Sequence, residues 1–133
     1  MRTKEGFTLV EVLASVLIFL IGAAAILNVS IGSMRMSKRA EYAYTAYNLA
    51  KNHLETLRSM PFGDLSSSDE ISTIVDQNGV PDLSGEYLRS TAITTNYSSD
   101  SNLVMAKVSV SYVLNGQESA APMEMSTVIY NSG

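Results

Sequence analysis

A chain of 133 residues, 46% hydrophobic and 17% charged, has the composition of one folded domain rather than of a disordered segment. Its formal net charge of −4 leaves no basic stripe for phosphates, so no nucleic acid is expected to be bound directly. The absence of cysteine excludes disulfides, thiol catalysis and cysteine-ligated metal.

The first element is an apolar run from Phe7 to Leu27, in which Glu11 is the only charge. About 20 helical residues at ~1.5 Å each match the ~30 Å hydrocarbon core of a bilayer. A secretory signal peptide would use Ala23-Ala24-Ala25 as its cleavage site. That reading places a glutamate inside the hydrophobic region, and the helical pattern continues past the supposed cut. A plain membrane anchor explains the length and leaves Glu11 without a purpose. A carboxylate inside a spanning helix costs about 2.5–3.5 kcal/mol on insertion scales and therefore asks for a partner.

The stretch Gly6-Phe-Thr-Leu-Val-Glu-Val-Leu-Ala-Ser-Val-Leu-Ile-Phe19 resembles the N-terminus of type IV prepilins and type II secretion pseudopilins. The resemblance implies a leader, residues 1–6, cut between Gly6 and Phe7 by a prepilin peptidase and methyltransferase, with N-methylation on Phe7. Loss of the leader would change the net charge to −5, since Arg2, Lys4 and Glu5 leave with it. It also implies that Glu11 serves assembly. The cut would create an α-amino group at the positive end of a helix dipole, and Glu11 of a neighbouring subunit would neutralise it. By spacing alone, Ser15, Gly22, Ala25 and Gly32 lie within about 60° of Glu11 on the helix wheel. Small residues allow close helix approach in lipid, so this stripe is the expected helix-packing face. Arg35, Lys38 and Arg39 follow the span and suit lipid headgroups. Flanking charge does not orient the span, and a cytoplasmic N-terminus is what the resemblance implies.

Nothing between Leu27 and Ser59 ends a helix, so residues 7–31 form the membrane-spanning and filament-core part and 32–60 its amphipathic continuation. Many family members carry a proline near the position of Asn28. This chain has none, and the polar cluster Asn28, Ser30, Gly32 and Ser33 is the expected weak point. Further along, Met36, Ala40, Ala43, Tyr47, Ala50, Leu54 and Leu57 draw one apolar stripe, with Lys38, Glu41, Thr45, Asn48, Asn52, Glu55 and Ser59 opposite. Pro61-Phe62-Gly63 stops the helix. The segment from Ala40 through Tyr47-Asn-Leu-Ala50 to Leu54-Glu55-Thr-Leu-Arg58 is similar to minor pilins and minor pseudopilins of the PilV and GspI type. His53, the only histidine, is expected to be a packing residue and not a ligand.

Residues 61–86 form an acidic connecting loop pinned by Ile71, Ile74 and Val75. Its functional reading is a variable contact surface, or a cation site around Asp76, Asn78 and Asp82 that lacks EF-hand spacing. Residues 87–133 form an antiparallel sheet. Its strands are Tyr87–Tyr97, Leu103–Leu114 and Met123–Tyr130, joined in part by a type I′ turn at Asn115-Gly116. Pro122 marks an irregular approach to the last strand. The inward face of the long strand is Val104, Ala106, Val108, Val110, Tyr112 and Leu114.

The expected fold is therefore α+β, type IV pilin-like: a long N-terminal helix whose second half packs on a small antiparallel sheet. There is no G-x-S-x-G or comparable nucleophile motif, so an enzyme is not expected, and neither is a cofactor or a metal. The resemblance implies a structural minor pilin subunit assembled from the inner membrane into a type IV pilus-like filament. Its partners would be other pilin or pseudopilin subunits, the peptidase/methyltransferase, the inner-membrane assembly platform and membrane lipid. The subunit would cross the inner membrane once with a periplasmic head, then join a periplasmic or extracellular filament. Many major pilins close their C-terminal region with a disulfide; the lack of cysteine and the short C-terminus fit a minor subunit. The alternatives are a minor pseudopilin of a type II secretion system, separable by gene neighbourhood, and a membrane-anchored binding module that never polymerises.

Overall fold

The computed structural model describes residues 6–131. One helix, α1, runs from Leu9 to Ser59, followed by a five-stranded antiparallel sheet. The layout is α+β and matches the type IV pilin-like fold. The chain divides into two compact units, one up to Lys38 and one from Arg39 onward.

The first unit is the N-terminal part of α1. None of its described residues is buried. Its best 18-residue window has a mean hydropathy of 2.6, so α1 is long and apolar enough to cross a membrane. The polar residues within this stretch bond to their own helix. Asn28 Nδ2 donates to the Ala24 carbonyl at 3.1 Å and Ser30 Oγ to the Ile26 carbonyl at 3.0 Å. These back-bonds satisfy groups that lipid could not, and α1 is unbroken across the cluster expected to loosen.

The second unit packs residues 39–59 of α1 on the sheet. The strands are β1 (Glu70–Val75), β2 (Tyr87–Thr95), β3 (Leu103–Leu114), β4 (Gln117–Glu118) and β5 (Met123–Tyr130). β3 is the hub, pairing with β2 on one side and with β4 and then β5 on the other. Leu114 pairs with Gln117 across Asn115 (φ 54°) and Gly116 (φ 77°). Both central residues have positive φ, as a type I′ turn requires. Alternation along β3 buries Val104, Ala106, Val108 and Val110 against Ala46, Leu49, Ala50, Leu54 and Leu57 of α1. Each large apolar side chain buried in this way contributes about 1.5–3 kcal/mol.

Three expectations about the head are corrected. The apolar stripe is rotated: the buried arc is Ala46, Leu49, Ala50, Leu54 and Leu57, with Tyr42 packed against it. Met36 is 75% exposed and Tyr47 45%, and Ala40 is also exposed. At 3.6 residues per turn the shift is roughly 60°. Small Ala46 and Ala50 let the sheet come close, and bulky Tyr47 stays outside. Residues 61–86 are not all loop. They hold a 3-10 turn at Phe62–Ser67 and the strand β1, paired with β2. The alternation of β1 was masked because its register shifts between Glu70 and Thr73, where Ser72 has φ 48° and Ile71 is 92% exposed. Finally, β2 ends at Thr95 and not at Tyr97, because Asn96 enters the left-handed region (φ 54°) and starts a turn.

Candidate functional site

The residues expected to be processed lie at the head of α1. Gly6, Phe7 and Thr8 precede the helix and are exposed, Phe7 by 85%. The bond between Gly6 and Phe7 thus sits in non-helical chain two residues ahead of Leu9. Leader residues 1–5 lie outside the described residues. Gly6, Phe7, Thr8 and Glu11 line one common recess.

Thr8 and Glu11 form a reciprocal cap. The Glu11 amide donates to Thr8 Oγ1 at 3.2 Å, and the Thr8 amide donates to Glu11 Oε2 at 3.3 Å. The Thr8 hydroxyl also reaches Glu11 Oε2 at 3.4 Å. This is the capping box, in which a threonine and a glutamate three residues later satisfy amides that the first turn cannot. Glu11 therefore also stabilises its own helix start. Thr8 was legible as part of that pattern but was not singled out.

The residues expected on the Glu11 face lie along α1. Ser15 Oγ donates to the Glu11 carbonyl at 2.8 Å, which satisfies the hydroxyl inside the helix. A Cβ built on Gly22 or Gly32 would meet nothing within 4 Å, and Ala25 is exposed. The face is bare in a single chain.

Five of the six acids of the 61–86 segment accept hydrogen bonds from side chains or backbone amides. Asp69 Oδ1 accepts from the Ile93 amide at 2.7 Å, and Glu86 accepts from the Tyr42 hydroxyl at 2.8 Å. Asp76 Oδ1 accepts from the amides of Asn78 (2.8 Å) and Val80 (2.9 Å). Asp82 Oδ1 accepts from the Ser84 amide and hydroxyl. Backbone hydrogen bonds, that of Val80 foremost, lower the Asp76 pKa, and the Ser84 amide does the same for Asp82. The carboxylates proposed for a cation are thus engaged as turn acceptors. No group of three His, Cys, Asp or Glu that could hold a metal occurs among the described residues.

One charged cluster was not anticipated. Arg89 lies on the inward face of β2 and is only 7% exposed. Its Nε and Nη2 donate to Glu70 at 2.8 and 3.0 Å, and its Nη1 donates to the Gly79 carbonyl at 3.1 Å. His53 lies beside this pair, its Nε2 3.7 Å from Glu70 Oε2. Burial would raise the Glu70 pKa, but the hydrogen bonds and charge of Arg89 outweigh it and the net shift is downward. His53 is half-buried, as expected of a packing residue, and the acid beside it, Glu70, comes from β1, within the segment expected to be loop.

Residues 1–27 match the family model of the prokaryotic N-terminal methylation motif. That motif is the type IV prepilin and pseudopilin signature, and it supports a protein of the type IV pilin or pseudopilin type. The motif points to a structural protein, processed by a prepilin peptidase, assembled with other pilin subunits and anchored in the membrane by one N-terminal helix. No curated protein and no solved structure matches the chain at a significant level.

Proposed function

We propose that this protein is a minor pilin subunit, cut between Gly6 and Phe7, N-methylated on Phe7 and assembled from the inner membrane into a type IV pilus-like filament. The single observation that carries the reading is the methylation motif at residues 1–27, placed at the head of a helix apolar enough to cross a membrane. The exposed, non-helical Gly6–Phe7 bond supports the cut. Glu11, in the same recess as Phe7, supports a pairing role with the freed amine of a neighbouring subunit. An unpaired charge in lipid is costly, so that pairing would reject wrong axial registers. The bare face of Ser15, Gly22, Ala25 and Gly32 would then receive a second helix.

Mass spectrometry of the chain from its native host tests the processing. The expected mature N-terminus is Phe7 carrying one added methyl group, and an intact Met1 would overturn the reading. Assembly is tested with Glu11→Gln, in a strain producing the processed subunit at normal levels. The expected result is loss of the subunit from sheared filaments while the membrane pool persists. Incorporation equal to wild type would remove Glu11 from the assembly mechanism.

A further inference from the structure

We propose that His53, Glu70 and Arg89 form an acid-released latch, in which Arg89 of β2 holds β1 and the turn after it and His53 of α1 sets its sensitivity to protons. β1 is an edge strand with a broken ladder, so its attachment leans on side chains. Glu70, at its start, takes the two-pronged donation of Arg89 and a weaker one from Thr91 Oγ1 at 3.4 Å. The remaining arm of Arg89 holds the Gly79 carbonyl in the turn that follows β1. One guanidinium thus secures both ends of the β1 segment.

His53 is what makes this hold sensitive to protons. Its Nε2 is buried without a hydrogen-bond partner and stands 3.7 Å from Glu70 Oε2, too far to bond. The charged groups facing it are Glu70 from β1 and Arg89 from β2. A neutral imidazole fits this position. A protonated one sets a second cation against a carboxylate whose oxygens Arg89 already occupies, leaving the cluster with a net positive charge. Leu49, Asn52, Thr56, Asn78 and Gly79 complete a cavity of about 260 Å³ beside His53 and Arg89.

Burial first, and then the charge of Arg89, hold the His53 pKa below 6.5, with Glu70 offsetting only part. The opened state therefore takes up a proton at a higher pH than the closed state does. The latch is intact above about pH 6.5 and weakens as the pH falls from there toward the lowered folded value. Each unit of depression multiplies the open population by up to about tenfold.

The test uses the full-length, tag-free chain in detergent micelles, between about pH 8 and about pH 5. His53 is the only histidine, so its ring NMR signals titrate without ambiguity. Hydrogen exchange, corrected for its intrinsic pH dependence, is followed at residues 73–82, with β3 as the internal reference. The expected result is a ring midpoint below 6.5 and a several-fold loss of protection over 73–82 on acidification, with β3 unchanged. His53→Gln should flatten that response. A midpoint at or above the free value with protection gained, a flat profile, or an equal loss across β3 would overturn the latch. If His53→Gln does not fold, the wild-type titration and exchange profiles decide alone.

Discussion

Glu70 and Arg89 show how a charged residue can be read wrongly when its partner is out of view. Arg89 interrupts an otherwise apolar or small inward face of β2, and along the chain it looks like a solvent-facing residue. It is buried because Glu70, 19 residues earlier, meets it with both oxygens. Glu70→Gln should therefore destabilise the head by about 3 kcal/mol, since a buried guanidinium would lose its counter-charge. Urea unfolding of the full chain in micelles would show this as a lower midpoint, and a midpoint equal to wild type would mean that water replaces the carboxylate. Gly85 is a second position where a single atom decides. A Cβ there would lie 2.1 Å from the Val75 carbonyl oxygen. Gly85→Ala should push the turn away from β1 and cost about 1–3 kcal/mol, measured in the same way.

At the scale of elements, what was legible in the sequence is what depends on near neighbours. The helix stop at Pro61, the alternation of β3 and β5, and the Asn115-Gly116 turn each need only a few residues to specify them. β1 was hidden because its alternation breaks at Ser72, and its acids resembled a solvated loop until β2 supplied their donors. The phase of the helix stripe was hidden for a different reason. A seven-residue spacing drifts about 20° per heptad against a straight helix, and the sheet, not the pattern, chooses which side it meets. The corrected phase makes a contrast that can be measured. Leu57, 1% exposed, lies in the core, so Leu57→Ala should cost about 2–5 kcal/mol. Tyr47→Ala, on the stripe expected from spacing, should stay within about 0.5 kcal/mol. Equal losses would restore the original stripe.

At the scale of the whole molecule, the two units differ in what holds them. Among the described residues, every buried apolar residue lies at Ala46 or beyond, so the unit from Arg39 onward contains its own core. The unit up to Lys38 presents apolar side chains all round and depends on lipid or on other helices to cover them. The match to the methylation motif lies entirely in that first unit. Charge divides along the same line. Without Arg2, Lys4, Arg35 and Lys38 five basic residues remain, and without Glu5 and Glu11 eleven acids remain, a net charge of −6 for residues 39–133. That charge favours solubility, and deleting residues 1–38 removes none of the buried core. A chain beginning at Arg39 should therefore be soluble and monomeric, and should unfold in one cooperative step. Its Tm should fall within a few degrees of the head transition of the full chain in micelles. Circular dichroism and sedimentation would check this. A broad, non-cooperative melt would show instead that the first unit supplies contacts without which the head does not fold.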